Sequence, residues 1–323
     1  MGKTNMKILI IGSGSVGIGL GTSLLSQDAN VSFLASNKTA SEMKTKGIKR
    51  AGLFTHYSFS PQEFRVYESY DKMPDNEFDF VLVASKTTAN RNIAEMLDKH
   101  REILKDDFTI LICQNGFGND EAYLNYFNTD EVYCARIITG FTRPERNISE
   151  VTVYTEPILL GSLQNEDITH LQIIADKITA SGINCELTEE LDKYLWAKML
   201  YNCTLNPLGA ILDVTYGKLT ENKYTTEIMD NIIDEIFDVI TASPYTTLWN
   251  NADDYRKVFY EKLVPDTYNH YSSTHQDIKR KIKTEIDTLN GKVIELGEKY
   301  DVDVSTNKII YNMIKSIESD FND

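Results

Sequence analysis

The stretch Lys7-Ile8-Leu9-Ile10-Ile11-Gly12-Ser13-Gly14-Ser15-Val16-Gly17 decides the reading of the fold. Lys7–Ile11 is a nearly continuous apolar run, as expected of a strand buried on both faces. The next six residues fit G-x-G-x-x-G, and residues 15–26 form a small-residue stretch suited to a helix. A bare glycine pattern says little. One that follows a strand and opens a helix reads as a cradle for the phosphates of a dinucleotide. Gly12 then permits the tight turn, Gly14 admits a pyrophosphate to the backbone, and Gly17 lets helix and strand pack closely. The loop, with Ser13, Ser15 and Val16 among its members, presents N–H groups at the positive end of a helix. The bland alternative is a merely glycine-rich turn.

The dinucleotide is selected at the end of the second strand, residues 31–34. An Asp or Glu there would bind the ribose hydroxyls of NAD. The sequence instead runs Leu34-Ala35-Ser36-Asn37-Lys38. Ser36, Asn37 and Lys38 could hold a 2′-phosphate that a carboxylate would repel, which favours NADP(H). Lys38 could also be no more than a solvated charge at a helix start.

Working outward, residues 78–84 and 109–113 read as buried strands, and residues 132–139 and 151–160 as further β candidates. Strands alternating with helices predict an α/β fold with a mostly parallel sheet and helices on both faces. Near residue 188 the pattern turns helical. Ile228, Ile232, Ile236 and Ile240 recur every four residues, with Asp230, Asp234 and Asp238 on another face, and Ser243-Pro244 closes the helix. A second helix is expected from about Ser273 to Lys299, and a third over residues 309–317 with Ile309, Ile310, Met313, Ile314 and Ile317 on one side. Two domains are therefore expected, residues 1–188 for the dinucleotide and residues 189–323 for substrate and catalysis. A chain of 323 residues suits that count.

Composition is that of a globular protein, 41% hydrophobic and 25% charged. A formal net charge of −15 disfavours nucleic acid and anionic membrane as partners. It also means that an anionic ligand needs a local cationic pocket. Met1 to Asn5 is short and polar, and no apolar run approaches the ~18 residues of a membrane span, so a cytoplasmic location is expected. Cys113, Cys134, Cys185 and Cys203 have no metal-like spacing and read as free thiols in a reducing compartment. No metal site is expected. The apolar C-terminal helices could pack within one chain or across a two-fold axis, which leaves room for a homodimer.

A second informative stretch is Lys198 to Pro207. Lys198, Asn202 and Asn206 are four apart and share one helix face among apolar neighbours. Pro207 predicts a kink or an end at that point. One reading makes Lys198 a general acid, its pKa lowered by desolvation, with the two amides orienting it. The other is a surface lysine with two capping asparagines, and spacing does not choose between them. Further on, Ser273-x-x-Gln276 fits a capping box, and Glu285 sits in a charge-rich helix where an exposed carboxylate is the plain alternative.

Taken together, Gly12–Gly17, the strand running toward Lys86, Gln114-Asn115-Gly116-Phe117-Gly118, Lys198 through Pro207, Ser272-Ser273 with Gln276-Asp277, and Thr284-Glu285-Ile286-Asp287 resemble the ketopantoate (2-dehydropantoate) reductases across the whole chain. The resemblance implies an N-terminal Rossmann-like domain, a C-terminal all-helical domain of the 6-phosphogluconate dehydrogenase C-terminal-like kind, and a site in the cleft between them. It implies hydride transfer from NADPH to the ketone carbon of a small 2-oxo acid. Lys198 matches the proton donor, and Glu285 the carboxylate that holds the substrate hydroxyl. Asn202 and Asn206 match substrate-orienting amides, and Ser273 the hydroxyl that binds the substrate carboxylate. Asn115 and Lys86 match groups beside the nicotinamide and the adenine-side phosphate.

Three positions depart from the family pattern. Ser36 stands where an Arg often clasps the 2′-phosphate. His270 and Tyr216 stand where Asn is frequent at the substrate end. They keep two alternatives open: a relative acting on another 2-oxo or hydroxy acid, and a non-catalytic NADP-sensing protein.

Overall fold

A computed structural model describes residues 6–322. The polar segment of residues 1–5 lies outside them. Two compact units emerge: residues up to Gln114 together with Asn119–Leu191, and Asn115–Gly118 together with residues from Asp192 onward.

The first unit holds twelve strands among the described residues: β1 (Lys7–Ile11), β2 (Asn30–Leu34), β3 (Ile48–Gly52), β4 (Tyr57–Phe59), β5 (Arg65–Tyr67), β6 (Phe78–Val83), β7 (Leu104–Ile112), β8 (Val132–Arg136), β9 (Gly140–Thr142), β10 (Ile148–Val153), β11 (Ile158–Gly161) and β12 (Cys185–Leu187). Its helices are α1 (Ser15–Leu25), α2 (Asn37–Lys46), α3 (Asn90–Lys99), α4 (Glu121–Leu124) and α5 (Gln172–Ala180). Eight strands form one sheet in the order β12-β11-β8-β7-β6-β1-β2-β5, parallel except for the β11–β8 pair. β1 lies inside it, paired with β2 on one side and β6 on the other. The strand order therefore reverses at β1, and the carboxyl ends of β1 and β6 frame the place where open α/β sheets bind ligands.

A second sheet, β4-β3-β10-β9, was not foreseen. Its strands are short and carry charges such as Lys49, Arg50 and Glu150, so no period-2 apolar signal marks them. Residues 151–160, read as one strand, divide between the two sheets: β10 ends at Val153 and β11 begins at Ile158. Pro157 lies in the break and has no N–H to give a ladder. Helix α1 packs against both sheets because it is small on both sides. A Cβ on Gly21 would lie 2.4 Å from the Phe33 ring of the large sheet, and one on Gly19 would lie 2.5 Å from Phe141 of the small one. Arg50 of β3 is fully buried. It donates to Ser23 Oγ on α1 and to the Ser181 carbonyl at 2.7 Å, which offsets the cost of burying a charge.

The second unit is helical: α6 (Leu191–Leu212, its first residue counted with the other unit), α7 (Tyr216–Thr220), α8 (Lys223–Ala242), α9 (Ala252–Val258), α10 (Val264–Asp266), α11 (Ser273–Lys279), α12 (Asn290–Tyr300) and α13 (Ser305–Ser319). The four-apart stripe of α8 faces inward through Met229, Ile232, Ile233, Ile236 and Phe237, and the helix stops before Ser243. Three expectations need correction. The helix expected from Ser273 to Lys299 is two helices. Lys281 takes a left-handed φ of 53°, and Thr284 is held by Glu318, whose Oε1 accepts from both its N–H (2.7 Å) and its hydroxyl (2.6 Å). The N-cap of α11 is Ser272, not Ser273: its hydroxyl accepts from the His275 N–H at 3.0 Å. On α13, Ile310 and Ile314 are buried, but Ile309 and Met313 are exposed, so the inward face is narrower than the apolar stripe.

Pro207 does not end its helix. α6 continues to Leu212. Proline deprives the Cys203 carbonyl of its i+4 donor, and the buried Asn290 supplies one instead, its Nδ2 lying 3.1 Å from that oxygen. Asn290 in turn donates to Asn307 Oδ1 at 2.9 Å. Among the described residues no helix is long and apolar enough to cross a membrane.

Candidate active site

In the sheet unit, β1 delivers the chain into the glycine loop. Gly12 has φ +102°, and a Cβ there would lie 2.3 Å from the Ser85 nitrogen. A Cβ on Gly17 would lie 2.0 Å from the Gly12 carbonyl oxygen. The protein's own packing therefore requires both glycines. Gly14 is different. Its φ of −82° suits any residue, and a Cβ would meet nothing closer than the Ala84 oxygen at 3.9 Å. Neither backbone nor neighbours explain a glycine there, whereas a phosphate approaching the backbone does. Ser13 Oγ, adjacent to it, is buried with no hydrogen-bond partner among the described residues. The N-cap position of α1 carries no side-chain cap, so its first N–H groups keep their capacity for an anion. These features fit a dinucleotide pyrophosphate.

The surroundings of the loop follow from the sheet. Gly12 N–H donates to the Leu34 carbonyl (3.4 Å), which places the end of β2 beside the loop. Residues 84–86 follow β6, which ends at Val83, and put half-buried Lys86 just past the Ser85 backbone that touches Gly12. Ser36, Asn37 and Lys38 are exposed at the start of α2, with Ser36 as its N-cap. Gln114 has a structural part that its motif does not disclose. Its amide donates to the Ser85 carbonyl (2.9 Å) and to Asn90 Oδ1 (2.7 Å), and Asn90 donates to Asn119 (3.0 Å). This buried amide chain holds residues 84–86 in place. Gln114 ends an apolar strand, Asn90 opens a helix, and neither position looks unusual in sequence.

In the helical unit, Lys198 on α6 donates from Nζ to Asn115 Oδ1 at 2.6 Å, and Asn115 Nδ2 donates to Glu285 Oε2 at 3.4 Å. Asn115 thus joins a lysine and a carboxylate that lie far apart in the unit's sequence. Its own position is set by the turn that carries Glu285. Gly116 has φ +96° and lies so close to Thr288 that a Cβ would be 2.5 Å from the Thr288 carbonyl, to which Phe117 N–H donates at 3.1 Å. Phe117 then packs on Trp196 and Tyr245, with ring centroids 5.0 and 4.9 Å away. Glu285 is buried, and the Thr284–Glu318 bonds beside it fix its backbone.

The other expected residues are placed as follows. Asn202 shares the α6 face with Lys198 and is half-buried, with no recorded side-chain partner among the described residues. Asn206 is buried. Its Oδ1 accepts from the Tyr216 hydroxyl at 2.6 Å, and its carbonyl accepts from Ser272 Oγ at 3.1 Å. Burial holds the Tyr216 phenol well above its ordinary pKa, so it remains a neutral donor. His270 is exposed, with its ring 5.2 Å from that of Tyr216 and its carbonyl accepting the Tyr216 N–H at 3.1 Å. Ser273 is exposed in the first turn of α11, and Ser272 makes the buried contacts.

Comparison with known proteins gives the family. The family described as "Ketopantoate reductase PanE/ApbA" matches residues 8–165, and its C-terminal counterpart matches residues 190–318. The 2-dehydropantoate 2-reductase of Aquifex aeolicus (strain VF5) is 35% identical over 319 residues, 97% of each chain. This chain belongs to the ketopantoate reductase family. A more distant ketopantoate reductase family relative, the 2-dehydropantoate 2-reductase of Archaeoglobus fulgidus, is 25% identical over 97% of this chain and 98% of its own. Among solved structures, a PanE/ApbA family ketopantoate reductase from Ralstonia eutropha JMP134 has a TM-score of 0.85 at 22% identity, covering 98% of this chain and all of its own. D-mandelate dehydrogenase, solved with NADH and anilino(oxo)acetate, has the same TM-score at 20% identity over the same shares. These structural likenesses establish the fold. The four cysteines of this ketopantoate reductase family member are free and buried.

Proposed function

We propose that this chain reduces 2-dehydropantoate to pantoate with NADPH, in the route to pantothenate and coenzyme A. The observation that carries the reading is the hydrogen-bonded row Lys198–Asn115–Glu285, a cation and a carboxylate joined through one amide. The glycine loop with its open Gly14 and unpartnered Ser13 hydroxyl supports a dinucleotide, and the curated relatives are named for this reaction. In this reading residues up to 188 serve the cofactor and residues 189–323 serve substrate and catalysis, with Asn115 contributed to the latter.

Bound NADPH supplies the hydride, so the redox chemistry is the cofactor's. Gly12, Ser13, Gly14 and the first N–H groups of α1 hold its pyrophosphate, and Lys86 meets its adenine-side phosphate. Lys198 stabilises the oxyanion that grows on the ketone oxygen and then protonates it, completing the hydroxy acid. Such electrostatic help is worth about 3–4 kcal/mol. The bond to Asn115 aims the ammonium. Glu285 accepts from the substrate hydroxyl. Asn202 offers its amide to the substrate, Asn206 is held for the same purpose by Tyr216, and Ser273 binds the carboxylate.

A second reading, reduction of a different 2-oxo acid, is favoured by the Tyr216–Asn206 bond, which occupies one amide oxygen with a protein hydroxyl. NADPH consumption measured with 2-dehydropantoate and with a panel of other 2-oxo acids separates the two. The proposal expects the highest kcat/KM for 2-dehydropantoate. A higher value for another acid replaces it with the second reading, and tight NADPH binding without turnover on any acid removes both.

A further inference from the structure

The turn between β9 and β10, residues 143–147, runs alongside α2. Asn147 donates to the Gly47 carbonyl at the end of that helix (3.0 Å), and Glu145 approaches Lys46 (3.7 Å). At the helix start, Arg143 Nη2 donates to Thr39 Oγ1 at 3.1 Å, and Thr39 Oγ1 also lies 3.4 Å from Ser36 Oγ. A half-buried guanidinium therefore stands at the N-terminus of α2, at the end of β2. Through the Gly12–Leu34 bond that end is joined to the glycine loop.

This guanidinium has no carboxylate partner among the described residues. Its Nε and Nη2 go to the Arg146 carbonyl (3.3 and 2.7 Å) and to Thr39, which leaves Nη1 without a recorded acceptor. Glu42 acts on the guanidinium electrostatically without an ion pair, and lies within ion-pairing distance of Lys46 (3.6 Å) and Arg146 (4.0 Å). Arg146 adds a second positive charge nearby. Partly buried cations are normally paired, and in a chain of net charge −15 an unpaired one is conspicuous. Nη1 therefore keeps its capacity for an anion from outside the chain. The end of β2 is where a dinucleotide's adenosine ribose lies, and an Arg there accommodates a 2′-phosphate.

We infer that Arg143 is the residue that selects NADPH over NADH in this chain, clasping the 2′-phosphate beside Ser36 while buried Thr39 holds the guanidinium. The inference rests on the dinucleotide reading of the glycine loop. Arg143 comes from the second sheet, more than a hundred residues after β2 in the chain, and takes the part for which Ser36 has no charge. It is a specificity residue and touches no reacting atom.

The test is equilibrium binding of NADPH, NADH, 2′,5′-ADP and 5′-AMP to the full-length protein, wild type and Arg143→Ala, with Arg143→Lys as a second variant. Losing a charged hydrogen bond should weaken NADPH and 2′,5′-ADP by about tenfold to a hundredfold. NADH and 5′-AMP should be unchanged, and Arg143→Lys should restore part of the loss. Unchanged NADH binding also shows that the variant is folded. Equal losses for both dinucleotides, or no loss for either, would reduce Arg143 to a stitch in its turn and overturn the inference while leaving the dinucleotide reading intact. Wild-type protein that binds neither dinucleotide would overturn both.

Discussion

Lys198 Nζ and Asn115 Oδ1 are 2.6 Å apart, although 83 residues separate them in the chain. Asn115 is carried on a four-residue segment that groups with the helical unit while its flanks on both sides belong to the sheet unit. The same amide reaches Glu285, so one side chain touches both charged groups.

Asn115→Ala should therefore impair the reaction without removing a charge. A bond to an ionised group is worth about 1.5–3 kcal/mol, so kcat is expected to fall by about tenfold to a hundredfold. Steady-state kinetics with saturating NADPH would check this. A kcat equal to wild type would mean that Asn115 does not orient Lys198.

The glycine loop makes a contrast between two similar substitutions. Gly14→Ala has room and an ordinary φ, so thermal stability should be unchanged while NADPH binding weakens by at least about tenfold. Gly12→Ala meets the Ser85 backbone at a φ of +102° and should lower the melting temperature markedly. Calorimetry and NADPH titration of the two variants provide the check. A strongly destabilised Gly14→Ala would mean that packing, not a ligand, keeps that glycine.

Parts of the candidate site leave a sequence signal because they are local. A glycine loop after an apolar strand and a four-residue spacing of Lys198, Asn202 and Asn206 are short-range patterns. What was hidden depends on partners distant in the chain. Pro207 predicts a kink or an end, and the helix runs on because the donor that replaces its missing N–H belongs to Asn290, 87 residues from Cys203. Ser272 rather than Ser273 caps α11, a shift of one residue that composition cannot resolve. The place of Arg143 depends on the pairing of β10 with β3, which lays its turn along α2, and no short-range pattern marks it.

The Asn290 bond can be tested by a double-mutant cycle. Asn290→Ala leaves the Cys203 carbonyl buried without its donor, at a cost of about 1–3 kcal/mol. Pro207→Ala restores a backbone N–H to that carbonyl. The double variant should be more stable than the sum of the single effects by about 1 kcal/mol in denaturant unfolding. Strict additivity would show that the two residues do not share the carbonyl.

The four thiols should be silent in the native protein. Burial pushes Cys113 up to about 12 and raises Cys134, Cys185 and Cys203 as well, and the thiolate is the reactive form. A disulfide reagent at neutral pH should modify no thiol until denaturant is added, and then all four. The same shifts give stability a sign. Above the ordinary thiol value of about 8.5 the unfolded chain releases protons that the folded chain keeps, so stability falls as pH rises. Rapid native labelling of any cysteine would contradict its burial.

The proton-donor role of Lys198 is tested most directly in a single turnover, by mixing NADPH-loaded protein with 2-dehydropantoate and following the loss of NADPH absorbance. Lys198→Ala should bind NADPH like wild type and convert it about a thousandfold more slowly, the scale on which charge stabilisation at a developing oxyanion acts. A Lys198→Ala protein that turns over at near the wild-type rate would contradict the account.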